Sequence, residues 1–70
     1  MMPLTLMNTG EENIIRKIGG NPQVRVHLEN LGFVPGSRIT VISTMAGNLI
    51  VNVKDSRVAI SKEMAAKIMV

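Results

Sequence analysis

The chain has 70 residues and no cysteine, so it can form neither a disulfide nor a thiolate metal site. No apolar stretch approaches the ~20 residues that cross a bilayer, and the first residues lack the basic and apolar regions of a signal peptide. The net charge is +3, but the basic residues are scattered and Phe33 is the only aromatic, unlike a protein that stacks bases. We therefore expect one small cytosolic domain over residues 1–70.

The first regular elements are predicted between residues 12 and 31. The sequence ENIIRKI (12–18) is rich in strand-forming residues and is followed by two glycines, which indicate a turn. Residues 22–31 read as a short helix, with Asn21 as its N-cap and Pro22 as its first residue. Val24, Leu28 and Leu31 recur at the spacing of one helical face and predict the buried side of this helix.

The sequence GFVPGS (32–37) predicts a helix stop followed by a reversal of the chain. Gly32 falls where a left-handed residue ends a helix, and Phe33 then lies over Leu28, as in a Schellman motif. Pro35 and Gly36 suit the two central positions of a type II turn. We interpret Gly32, Phe33, Pro35 and Gly36 first as structural residues.

Three strands are predicted at 37–44, 48–54 and 57–60, because apolar and polar residues alternate in each. The connections are short, which favours an antiparallel meander. A second helix over 61–67 has Ser61 as its N-cap, and residues 68–70 can pair as a last strand. The fold class is thus mainly β with two short helices, a small barrel of about five antiparallel strands, closed or nearly closed. The predicted core comprises Ile14, Val24, Leu28, Leu31, Ile39, Val41, Val51, Val53, Val58, Ile60 and Ile68.

The sequence offers little for catalysis or metal binding. His27 is the one histidine, and with a nearby acid it makes only a weak candidate site for ferrous iron. The six methionines are dispersed along the chain, which is typical of core filling rather than of a copper site. We find no paired nucleophile and base and no phosphate-binding loop. We therefore expect a non-enzyme without a cofactor.

Three stretches together resemble the FeoA family of ferrous iron transport proteins A. They are LENLGFVPG (28–36), LTLMNTGE (4–11) and RVAISKEMAAKIMV (57–70), and their order spans nearly the whole chain. The resemblance implies an SH3-like barrel, with Leu4 and Met7 as apolar anchors and Gly10 in a turn. It also implies a protein that binds and modulates FeoB, the membrane ferrous-iron transporter with a cytosolic GTP-binding domain.

The chain departs from the family pattern at three positions. Val26 and Asn30 stand in the first helix where the family often has a basic run and a glutamate. Asp55 stands in the last hairpin where glycine is frequent. Asp tolerates the left-handed backbone region, so we expect the turn to form.

We interpret the chain as a non-catalytic regulatory protein that docks on the GTPase domain of FeoB and meets the membrane only through that transporter. On a helical wheel Val26 falls opposite the buried stripe. It can therefore be the apolar centre of a docking patch formed with Arg25, His27, Glu29 and Asn30. The alternative is an SH3-like module linked to metal-dependent transcriptional repression or nucleic-acid binding. Self-association is left open by the sequence.

Overall fold

Six β-strands, two α-helices and one 3-10 turn make up the computed structural model, which describes all 70 residues. The 3-10 turn covers Leu4–Leu6. The strands are β1 (Glu12–Ile14), β2 (Lys17–Ile18), β3 (Arg38–Met45), β4 (Asn48–Val53), β5 (Ser56–Ser61) and β6 (Ile68–Met69), and the helices are α1 (Pro22–Asn30) and α2 (Lys62–Ala65).

The strands form two antiparallel sheets. Strands β1, β3, β4 and β5 make one sheet in the order β1-β3-β4-β5, and β2 pairs with β6 in the other. The predicted meander of β3, β4 and β5 is confirmed, as is the last strand. Beside β6, Met2 and Val70 exchange two backbone hydrogen bonds of 2.9 and 2.8 Å, so the first residues cover that strand.

The fold is mainly β and SH3-like, as predicted, but the strands do not close into one ring. The segment predicted as a single strand divides at Ile15 and Arg16, where the chain leaves the four-stranded sheet to join β6. Helix α2 separates β5 from β6 along the chain. As a result there are six strands rather than five, and β5 is an edge of its sheet.

Helix α1 begins where its capping residues predict. The side chain of Asn21 accepts a hydrogen bond of 2.9 Å from the backbone N–H of Val24, which satisfies one of the free donors of the first turn. Pro22 occupies the start of the helix, where it needs no hydrogen bond of its own. Ser61 caps α2 in the same way, accepting from Met64 N–H at 3.2 Å.

The predicted Schellman motif closes α1. The N–H of Phe33 donates to the carbonyl of Leu28 at 3.0 Å, and the N–H of Gly32 donates to Glu29 at 2.9 Å. Gly32 has φ +102°, and both Phe33 and Leu28 are fully buried. The turn after it also forms as predicted. There Gly36 has φ +91°, and the N–H of Ser37 donates a hydrogen bond of 3.1 Å to the carbonyl of Val34.

One hydrophobic cluster fills the interior, and it differs from the predicted core at the start of the sheet. Ile14 is 38% exposed and lies outside the core, so that prediction is wrong. Ile15 is 1% exposed and takes the interior position instead. The register explains the difference, because Asn13 pairs with the inward-facing Ile39 and the alternation then turns Ile14 outward. The thirteen buried residues are Leu4, Ile15, Ile18, Leu28, Phe33, Ile39, Val41, Leu49, Val51, Val53, Ile60, Ala65 and Ile68.

Three predicted core residues are only partly buried. Val24, Leu31 and Val58 pack against the cluster from its margin. The family resemblance implied apolar anchors near the N-terminus, and accordingly Leu4 is fully buried and Met7 packs against the cluster. Gly10 has φ +85°, as a turn position there requires.

Both hairpins of the meander use two-residue turns with two left-handed residues each. Ala46 and Gly47 have φ of 47° and 83°, and Lys54 and Asp55 have φ of 50° and 62°. These values fit type I′ turns, which match the twist of the strands. Asp55 is thus left-handed, as the sequence led us to expect.

Ala46 is strained, because a left-handed alanine costs about 1 kcal/mol and Asn-Gly is the preferred type I′ pair. We expect Ala46→Asn to raise the free energy of unfolding by about 0.5–1 kcal/mol, measured by urea denaturation. Ala66→Asn is the matched control, since Ala66 is also exposed but has φ −64°. An equal gain in both variants would rule out relief of backbone strain as the cause.

Candidate functional site

The exposed side of α1 carries all five residues that the sequence suggested for docking. Arg25, Val26, His27, Glu29 and Asn30 are each exposed, and we call them the α1 outer face. Val26 is 54% exposed, so its apolar side chain faces solvent among these charged and polar residues. The α1 outer face therefore has an apolar centre within a polar rim.

The α1 outer face is held in a fixed orientation by the two ends of its helix. Leu28 is fully buried on the opposite side of α1, and Val24 packs against the same core from the first turn. At the C-terminal end, the position of a Cβ on Gly32 lies 3.8 Å from Val53 and 3.7 Å from Lys54. The helix end thus rests against the β4–β5 hairpin.

The charged residues of the α1 outer face are not engaged with one another. Arg25 and Glu29 lie four positions apart, but the only ion pair in the structure joins Arg38 Nε to Glu12 Oε1 at 3.9 Å on the sheet. Those two side chains are 74% and 58% exposed, so their pairing contributes little to stability. Arg25 and Glu29 keep their charges available to a partner.

The structure brings no three His, Asp or Glu side chains together as a metal site. His27 lies exposed on α1 and belongs to no such group. No pocket opens on the surface. The two helices have nine and four residues, so both are too short to span a bilayer. Phe33, the only Phe, Tyr or Trp residue of the chain, is fully buried and cannot stack on a base.

The sequence reasoning missed several exposed apolar side chains outside α1. Leu6 and Met45 are 61% and 60% exposed, and Ile42 is 39% exposed. Ile42 is the extra residue at a β-bulge, where the register of β3 shifts between Val41 and Ser43. The exposure of Ile42 agrees with the strand alternation, because Ile42 follows the buried Val41, but the bulge depends on the partner strand and has no signal in the sequence.

Comparison with known proteins settles the family. A family model described as FeoA domain matches residues 2–70. The chain belongs to the FeoA family. It is 37% identical to the Fe(2+) transport protein A of Methanocaldococcus jannaschii over 70 residues, which cover 100% of this chain and 85% of the relative.

Two solved FeoA structures share the fold of this FeoA-family chain. An iron uptake regulatory protein (FeoA) superposes with a TM-score of 0.88 at 35% identity, over 97% of this chain and 90% of that one. The FeoA of Stenotrophomonas maltophilia, described as an SH3 domain protein complexed with zinc, has a TM-score of 0.84 at 20% identity. It covers 99% of this chain and 88% of its own length, and at that identity the likeness concerns the fold alone.

Proposed function

We propose that this FeoA-family chain is a non-catalytic accessory protein of ferrous iron uptake that binds the cytosolic GTPase domain of the FeoB transporter. Family membership supports a role in ferrous iron transport. The family resemblance supplies the transporter as partner. The proposal also puts the chain in the cytoplasm, because the domain that it would bind is cytosolic.

The α1 outer face is the surface that we propose for this contact. The observation that carries it is Val26, a 54% exposed valine among exposed charged and polar residues on a helix whose other side is buried. Interfaces of this kind bury an apolar centre and leave a polar rim in contact with water. Arg25 and Glu29 have no ion-pair partner within the chain, so they can pair with the transporter.

Val26→Asp tests the surface. An aspartate at an exposed position changes the free energy of unfolding by only about 0.5 kcal/mol. Buried at the centre of an interface, the same carboxylate would be unpaired, so we expect binding to the purified GTPase domain to be lost. Titration calorimetry measures the binding, and urea denaturation measures the stability of the same preparation.

Met45→Asp is the matched control. Met45 is 60% exposed and receives the same charge, but it pairs with Asn48 at one end of β4, whereas the end of α1 approaches Val53 at the other. We expect Met45→Asp to bind like the unmodified protein. Native affinity in Val26→Asp would exclude the α1 outer face, whereas equal loss in both variants would point to a general effect of charge.

Binding assays with unrelated DNA and RNA at low salt distinguish the nucleic-acid alternative from binding to the GTPase domain. With a net charge of +3 and with Phe33 buried, the chain is expected to bind them only weakly and in a salt-dependent way. Sequence-selective binding that survives physiological salt, together with no binding to the GTPase domain, would favour the repressor-type function.

A further inference from the structure

In strand β5, the backbone N–H and C=O groups of two residues point away from the sheet. Val53 and Ser56 flank a two-residue turn and therefore form a hydrogen-bonded pair, so Val58 is the next residue to bond to β4. Arg57 and Ala59 lie between these positions. Their N–H and C=O groups consequently point outward, along the free edge of the sheet.

No other part of the chain covers this edge. Arg57 and Ala59 are both exposed, and no backbone hydrogen bond outside the helices and strands involves either residue. The other edges differ. Strand β6 is paired by the first residues of the chain, and β1 has only three residues, of which Glu12 is charged.

The β5 edge has few of the features that keep exposed strands from pairing. Natural edges are protected by charged side chains, by proline, by inward-pointing charges, by bulges or by very short strands. β5 has six residues, no proline and no bulge in its register with β4. Its single charge, Arg57, alternates with Val58 and so points away from the core.

We propose that the β5 edge binds a second copy of this chain. The two β5 strands run antiparallel about a two-fold axis at Val58, so that Arg57 of each copy lies opposite Ala59 of the other. Both residues then exchange their N–H and C=O groups across the axis in hydrogen-bonded pairs. Every outward-facing group of Arg57 and Ala59 is satisfied in this register, and the two sheets become one.

Self-complementarity favours a second copy over an unrelated strand. Arg57 meets a small neutral residue rather than another arginine, so the two arginines do not lie directly opposite each other. The two Val58 side chains, partly buried already, meet as a non-hydrogen-bonded pair and shield one another from water. A register centred on Ala59 is poorer, since it relies on the carbonyl of Ser61, which as the N-cap already accepts the first bond of α2.

Single cysteines test the register, because the chain has none of its own. Opposed Cα atoms of a non-hydrogen-bonded pair lie about 4.5 Å apart, within disulfide range. Under mild oxidation we expect Val58→Cys to form a covalent dimer at least about 10-fold faster than Ala59→Cys, whose thiols would be too far apart. Asn52→Cys, exposed on the neighbouring strand, measures random collision. Oxidation of Val58→Cys no faster than either control would overturn the proposal.

Sedimentation equilibrium of the unmodified protein and of two Ala59 variants tests the interface without cross-linking. Ala59→Pro removes an edge donor that β4 does not use, so the fold is kept while dimerisation weakens about 10-fold or more. Ala59→Ser keeps the N–H and should dimerise normally. A monomer at about 1 mM unmodified protein, or a folded Ala59→Pro variant that dimerises fully, would contradict the inference. If circular dichroism shows that Ala59→Pro is unfolded, the rates of covalent dimer formation by the cysteine variants test the proposal instead.

Discussion

Phe33→Ala is expected to lose about 3–5 kcal/mol of stability, enough to leave much of the protein unfolded. Phe33 is the largest fully buried side chain and closes the Schellman motif against Leu28. Its removal leaves a cavity at the junction of α1 and the sheet, in addition to the lost transfer free energy. A domain of this size holds about 4–10 kcal/mol in total, so urea denaturation should give a much reduced or absent folded baseline.

Two controls separate the cavity from other effects of the substitution. Phe33→Leu keeps most of the volume and should cost less than about 1.5 kcal/mol. Val26→Ala removes apolar atoms from an exposed site and should change stability by no more than about 0.5 kcal/mol. A Phe33→Ala variant as stable as Phe33→Leu would mean that the core around residue 33 can collapse without loss.

Gly32→Ala is expected to cost about 1–2 kcal/mol through its backbone conformation. A Cβ at this position would meet only Lys54 and Val53 at ordinary van der Waals distances of 3.7 and 3.8 Å. The strain therefore comes from φ +102°, a value that alanine rarely adopts. The midpoint of urea denaturation should fall while its slope is unchanged.

Gly19→Ala provides the comparison for Gly32→Ala. Gly19 does not have a positive φ, and a Cβ there would approach the carbonyl of Lys67 at an ordinary 3.5 Å. We expect this variant to be neutral or slightly stabilised, because alanine reduces the freedom of the unfolded chain. Equal destabilisation in the two variants would show that the left-handed conformation is not what makes Gly32 necessary.

Local chemistry made the turns and caps predictable from sequence. Asn21, Gly32, Gly36 and Ser61 each act on backbone groups within a few residues, so their roles do not depend on the rest of the fold. Local chemistry does not decide which of Ile14 and Ile15 is buried. The choice depends on which residue of β1 faces the interior of a sheet formed with β3, and β3 begins more than twenty residues later.

The two candidate surfaces, the α1 outer face and the β5 edge, also differ in how far the sequence predicts them. The exposure of Val26 follows from helical periodicity once the buried stripe of Val24, Leu28 and Leu31 is recognised. The free edge at Ala59 could not be predicted, because it requires knowing that the barrel stays open beside β5. Periodicity and capping concern the chain itself, so they do not identify the partner of either surface.

The division of the strands between two sheets has a consequence for how the chain folds. The meander joins neighbouring segments through two-residue turns, so each pairing closes only a small loop. Pairing Lys17 with Met69, or Met2 with Val70, instead brings together positions separated by most of the polypeptide. Contacts of that separation slow folding, because their loop-closure entropy is lost before they contribute stability. We therefore expect the β3–β4 and β4–β5 hairpins to be organised in the folding transition state. The β2–β6 sheet should form only after that transition state has been crossed.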